Sequence, residues 1–241
     1  MEKGCAIVVG AGSGTGAEVA KAFAREDYGI AVARRNADAL SPLVTEIEQS
    51  GGRIKAFGMD ASDESDVIAL FDNSERALGP VEVAVFNAAG ITRGSILETT
   101  TDDFTRMWKA SALGGFLVGR EAARRMTARG RGTILFTGAT ASIKASANFA
   151  AFAAGKHGLR AVAQSMAKEL GPKGIHVAHI IVDAVIDVPR SREMMPDRTA
   201  AKGADGLIDA KSIAETYVWL HKQPRDSWTF ELDLRPAIEP W

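Results

Sequence analysis

The chain has 241 residues, 46% of them hydrophobic, with 29 basic against 30 acidic side chains and a formal net charge of −1. That length and apolar content suit one large α/β domain with a real core, near-neutrality speaks against an extended basic face for nucleic acid, and no uninterrupted apolar run is long enough to span a bilayer. The single cysteine, Cys5, rules out an internal disulfide and is compatible with a reducing cytoplasm, and the amino end, a short apolar run leading into glycines, is unlike a signal peptide.

Ala6–Val9 reads as a buried parallel strand. Gly10-Ala11-Gly12-Ser13-Gly14-Thr15-Gly16 follows, and Ala17–Ala24 then reads as a helix. Strand, glycine turn and helix in that order make an anion site. The helix start offers free N–H groups and a positive dipole end to a pyrophosphate, and the glycines let the ligand come close. Further apolar runs at Gly29–Ala33, Arg53–Gly58, Val81–Phe86, Thr133–Thr137, His176–Val182 and Thr229–Leu234 alternate with helical patterns. The alternation predicts an α/β fold: a single domain with a doubly wound parallel seven-stranded sheet, the Rossmann arrangement.

Arg34-Arg35-Asn36 follow the second strand. An acid at this point, about 20 residues past the glycine turn, would hold the adenosine ribose of NAD. Two arginine forks suit a 2′-phosphate instead, and Ser13 can add a hydroxyl, so NADP is expected over NAD. After the third strand, Ser62 or Asp63 can cap the next helix, which leaves Asp60 for another role. Asn87-Ala88-Ala89-Gly90 end the fourth strand with small residues that let a cofactor approach the backbone. A helix is predicted from about Thr101 to about Arg129, and another from Asn148 to Leu170, stopped by Gly171-Pro172. Residues 184–208 read as an irregular flap broken by Pro189, Pro196 and Gly203. Its Met194 and Met195 either face an apolar ligand or, the preferred reading, pack. Asp209 is read as the cap of a helix carrying Ile213, Ala214, Tyr217 and Leu220, and Trp241 either covers a neighbouring subunit or frays.

The spacing Gly10-x3-Gly14-x-Gly16, the strand end Asn87–Gly90 and the pair Phe152-x3-Lys156 together resemble the short-chain dehydrogenase/reductase family, over the chain up to about Leu234. The resemblance implies a nicotinamide-cofactor-binding domain that assembles as a homodimer or homotetramer through the helices near 101–129 and 149–171. It implies cofactor contacts at Gly10, Ser13, Gly14, Thr15, Gly16, Arg34 and Arg35, at Asp60 and Ala61 near adenine, and at Asn87, Ala88, Ala89, Gly90 and Lys156 near the riboses. The catalytic positions it implies are changed. Ser111 stands where the family has Asn, and Ala139 where it has Ser, with Thr140 adjacent and Ser142 three residues on. Phe152 stands where the family has Tyr; only Lys156 is kept, and His157 is turned too far round the helix to substitute. The family's Pro-Gly after the sixth strand is Val182-Asp183 here, and its following Thr is Asp187. The adenine end follows the pattern and the nicotinamide end departs from it. Three functions are therefore open. The first is an NADP-dependent oxidoreductase acting on a small carbonyl- or alcohol-type substrate with a depleted acid–base site. The second is an inactive NADP-binding sensor or assembly subunit, and the third a structural partner of active members. No metal, nucleic acid or membrane is expected.

Overall fold

The structure, a computed structural model, describes residues 3–239; Trp241, and the role expected for it, lies outside the described residues. In chain order the elements are β1 (Cys5–Val9), α1 (Thr15–Arg25), β2 (Gly29–Arg34), α2 (Ser41–Gln49), β3 (Ile54–Gly58), α3 (Glu64–Leu78), β4 (Val81–Phe86), α4 (Thr101–Trp108) and α5 (Gly114–Thr127). There follow β5 (Gly132–Ala139), α6 (Ala150–Leu170), β6 (Ile175–Val182), β7 (Val185–Asp187), α7 (Pro189–Met194), α8 (Pro196–Lys202), β8 (Leu207–Asp209), α9 (Ala210–His221) and β9 (Glu231–Leu234). Seven strands form one sheet in the order β3-β2-β1-β4-β5-β6-β9, and every neighbouring pair is parallel.

The apolar runs explain this arrangement. A strand buried on both faces needs apolar side chains at every position, and Cys5–Val9 are all buried. Alternate residues of β1 serve opposite faces: Ile7 and Val9 join the core under α3, α5 and α6, while Ala6 and Val8 join the core under α1, α2 and α9. Strand order reverses between β1 and β4, and a sheet of this kind offers its ligand crevice at the carboxyl ends of the strands on either side of that reversal.

Two segments differ from the sequence expectation. The helix expected over 101–129 has a wide π turn at Lys109–Leu113, between α4 and α5, with Ser111 inside it. The flap at 184–208 is not irregular: α7 and α8 fill it, and β7 and β8 pair in parallel, Ile186 opposite Ile208. Within it Met195 is half-buried and Met194 is 57% exposed. Asp209 caps α9 by accepting from Lys211 N, and Ile213, Ala214, Tyr217 and Leu220 are buried together as expected.

Candidate functional site

The glycine turn is built by close approach. Gly10 has φ +89°, and a Cβ added there would lie 2.4 Å from Ala88 N. A Cβ on Gly16 would lie 2.6 Å from Gly10 O, so α1 begins hard against the end of β1. Asn87 Nδ2 donates to Gly10 O at 3.0 Å and ties the end of β4 to the turn. No side chain caps α1, and Thr15 Oγ1 is buried with no hydrogen-bond partner. Free helix N–H groups and an orphaned buried hydroxyl are costly unless a ligand meets them. An anion fits this cradle on both counts.

Arg34 stands at the end of the neighbouring strand, its Nη1 3.9 Å from where a Gly12 Cβ would be. Arg35 is exposed beside it, and neither is paired with an acid among the described residues. Ser13 is exposed in the same turn. Asp63 caps α3, accepting from Ser65 N at 2.8 Å and Asp66 N at 3.1 Å. Asp60 is exposed, with Oδ1 taken by Ser62 N and Oγ at 2.8 Å each. Ala61 is buried against Gly114 and offers a ligand only its backbone. Gly90 closes this wall, since a Cβ there would lie 2.7 Å from Met107 Cε; Ala88 and Ala89 lie between it and Asn87. The flap crosses the turn at Val188, whose Cγ1 is 3.3 Å from a Cβ built on Gly14. Asp187, one residue earlier, is instead held by Arg192 at 2.8 and 2.9 Å.

The other half of the crevice lies at the ends of β5 and β6. Lys156 Nζ donates to Thr137 O at 2.9 Å. The side chain is 3% exposed, and burial pushes its pKa down to about 8. Because α6 joins two parallel strands, it runs against them, so the half-buried Phe152, one turn before Lys156 on the same face, comes level with the end of β5. Ala139 sits at that end without a hydroxyl. Ser142 is buried, and its Oγ accepts from Ala139 N at 3.1 Å, so that hydroxyl serves its own loop. Ser111 is buried in the π turn against Gly155. His157 is exposed and spends Nδ1 on Ala153 O of its own helix.

Around Thr140, Asp183 was named from the sequence only as a departure from the family pattern, and His179, Glu231, Arg160 and Arg235 were not singled out. Thr140 Oγ1 donates to Asp183 Oδ1, and Asp183 Oδ2 lies 2.8 Å from Arg235 Nη2. Behind them His179 Nδ1 is 3.0 Å from Glu231 Oε2, and Arg160 grips Glu231 through Nε and Nη2 at 2.7 Å each. Burial pushes His179 down to about 4, so its ring is neutral; the grip of Arg160 holds Glu231 below the usual carboxylate range. A Cβ on Gly138 would lie 2.5 Å from the His179 ring, so only glycine fits there. Part of the signal was available: His179 and Asp183 are polar residues in or directly after a strand whose only other polar side chain is His176. Among the described residues no group of three or more His, Cys, Asp or Glu side chains could hold a metal ion, and no helix is long and apolar enough to cross a membrane.

Comparison with known proteins agrees with this architecture. The 3-oxoacyl-[acyl-carrier-protein] reductase of Rattus norvegicus is 32% identical over 226 residues, 93% of each chain. A short-chain dehydrogenase from Rhodopseudomonas palustris superimposes with a TM-score of 0.83 at 43% identity, covering 98% of this chain and all of that one. A 7α-hydroxysteroid dehydrogenase complexed with NADH and 7-oxo glycochenodeoxycholic acid superimposes with a TM-score of 0.89 at 28% identity, covering 98% of this chain and 94% of the other. The sequence model of the short chain dehydrogenase family matches residues 4–198, and the chain belongs to that family of oxidoreductases.

Proposed function

We propose that this chain is an NADP(H)-binding oxidoreductase acting on a small alcohol- or carbonyl-type substrate, with a depleted acid–base site. The observation that carries the cofactor is the uncapped start of α1 with the orphaned Thr15 hydroxyl beneath the glycine turn. Backbone N–H groups of the turn and Thr15 hold the pyrophosphate, Asn87–Gly90 flank the riboses, and Asp60 lies toward adenine. Arg34 and Arg35, unpaired with any acid among the described residues, favour a 2′-phosphate. A relative bound to NADH shows that the family also uses the unphosphorylated form, so the arginines are what the preference rests on. When bound, a nicotinamide supplies or accepts a hydride. The chain positions it with α6 and the ends of β5 and β6. Lys156 spends one of three N–H donors on Thr137 O and keeps two for the ribose. Phe152 and Ala139 have no proton to exchange. General acid–base catalysis is worth roughly 10²- to 10⁴-fold, so reduction of simple carbonyls is slow. The inactive NADP-binding protein is the second reading, favoured by those same two residues. We place the chain in a homodimer or homotetramer through the outer faces of α4, α5 and α6.

The test titrates NADPH and NADH against the protein by fluorescence and then follows NADPH oxidation with a panel of ketones and aldehydes. NADPH is expected to bind several-fold tighter, because each charge-assisted bond is worth roughly 1.5–3 kcal/mol. Arg34→Glu with Arg35→Glu erases the difference. Superimposable curves for the two cofactors in the unmodified protein reject the NADP preference. Little oxidation is expected until Phe152→Tyr and Ala139→Ser are combined. Vigorous turnover by the unmodified protein would show that another group supplies the proton.

A further inference from the structure

Few donors around Ala139 remain for a substrate, since the two that Lys156 keeps are those assigned above to the ribose. Ala139 N is taken by Ser142 Oγ at 3.1 Å, Lys156 Nζ is buried on Thr137 O, and Phe152 offers none. The polar side chain at this end of β5 that water still reaches is Thr140, which is half-buried. Its hydroxyl has one hydrogen and two lone pairs. The hydrogen points inward, to Asp183 Oδ1.

That direction is imposed by the partner. Asp183 is 5% exposed and its other oxygen, Oδ2, is ion-paired with Arg235 Nη2 at 2.8 Å. A carboxylate can only accept, so Thr140 must be the donor between them. The backbone holds the pair in place: Asp183 N donates to Leu234 O at 2.9 Å, and β6 and β9 are in register at Val182 and Leu234. What Thr140 presents to the crevice is therefore lone pairs. A carbonyl oxygen arriving there would meet another acceptor and lose its water without compensation. A hydroxyl would donate to Thr140 and be satisfied.

We propose that the crevice takes its substrate through a hydroxyl group that donates to Thr140, so that the site selects an alcohol over the matching ketone, with Asp183 and Arg235 as the residues that fix this polarity. The inference rests on the reading of this crevice as the substrate site. A site built for one hydrogen-bond polarity discriminates strongly against the other, because the mismatch strands a polar group.

The experiment titrates cyclohexanol and cyclohexanone, two probes of nearly equal size, against the whole protein by ligand-observed NMR, with and without NADP. Cyclohexanol is expected to bind about tenfold tighter, the equivalent of one hydrogen bond made rather than blocked. Thr140→Val removes the preference and Thr140→Ser keeps it. Asp183→Asn weakens or reverses it, since an amide N–H can donate to Thr140 and turn the Thr140 hydrogen outward. Thr140→Val keeps the test sound if Asp183→Asn fails to fold beside Arg235. Equal affinities for the two probes, binding of neither at any attainable concentration, or an unchanged ratio in Thr140→Val would overturn the proposal. An NADPH titration on the same sample separates the two ideas. Its failure removes the cofactor assignment and leaves the alcohol-to-ketone ratio to decide the role of Thr140.

Discussion

Lys156 carries an ionisable group where water does not reach, and its position makes stability depend on pH. Burial lowers its pKa from 10.5 to about 8. The unfolded chain therefore binds the proton more tightly, and protonation favours unfolding. The penalty is fully present below about pH 8 and vanishes as pH rises through 10.5. The window corresponds to about 3 kcal/mol. Lys156→Met is expected to abolish this rise while leaving other titrations alone. Urea unfolding of both proteins across the window checks it, and parallel stability curves would show that Lys156 is not desolvated as described. The same residue marks what the sequence could tell. Its spacing from Phe152 was legible, since residues four apart share a helix face. Its burial against Thr137 O was not, because that depends on how α6 leans on β5. The pairing of His179 with Glu231 and of Asp183 with Arg235 escaped for a similar reason: contacts between segments about 50 residues apart leave no local pattern of their own.

At the level of elements, the glycine turn allows a clean comparison. Gly10 and Gly51 both have positive φ, +89° and +82°. A Cβ at Gly10 meets Ala88, whereas at Gly51 it meets nothing within 4 Å. Gly51→Ala is therefore expected to cost only the left-handed backbone term, about 1–2 kcal/mol, with NADPH affinity unchanged. Gly10→Ala adds the clash with the end of β4 and should lose more stability together with NADPH binding. Equal losses of stability and affinity in the two variants would mean that close approach at the turn is unimportant. The five inner strands of the main sheet were legible as apolar runs, because two-sided burial forces such runs, whereas the edge strands β3 and β9 are only partly buried. The π turn at Lys109–Leu113 was not, since one extra residue per turn changes no composition. Nor were β7 and β8: three-residue strands show no periodicity, and each pairs across the whole flap.

For the whole molecule, the outer surface of α4, the π turn and α5 is conspicuous. Phe104, Trp108 and Phe116 are 43%, 42% and 39% exposed, and Gly158 of α6 brings small backbone up beside Trp108. A face of large apolar residues next to a small-residue helix suits a symmetric contact, in which the same patch meets itself. Light scattering is expected to report a dimer or tetramer, and Trp108→Arg to shift it toward the 25.5 kDa monomer. A monomer at micromolar concentration in the unmodified protein would overturn this. The Rossmann architecture followed from the alternation of apolar runs and helical patterns, and the family from the resemblance of the glycine turn, Asn87–Gly90 and Lys156. The assembly and the substrate did not, because both are decided by surface chemistry that a strand-and-helix pattern leaves free.

The edge strand β9 has a consequence in time. It lies beside β6 in the sheet but more than 45 residues later in the chain. Glu231 and Arg235, the partners of His179 and Asp183, arrive with it or just after it. During synthesis, β6 and the residue after it must therefore wait with an unshielded imidazole and a bare carboxylate until Glu231 and Arg235 have emerged. The crevice cannot acquire its final polarity early. A nascent chain halted before residue 231 would hold a nearly complete sheet with an unfinished reactive end, and would depend on chaperones at that one edge.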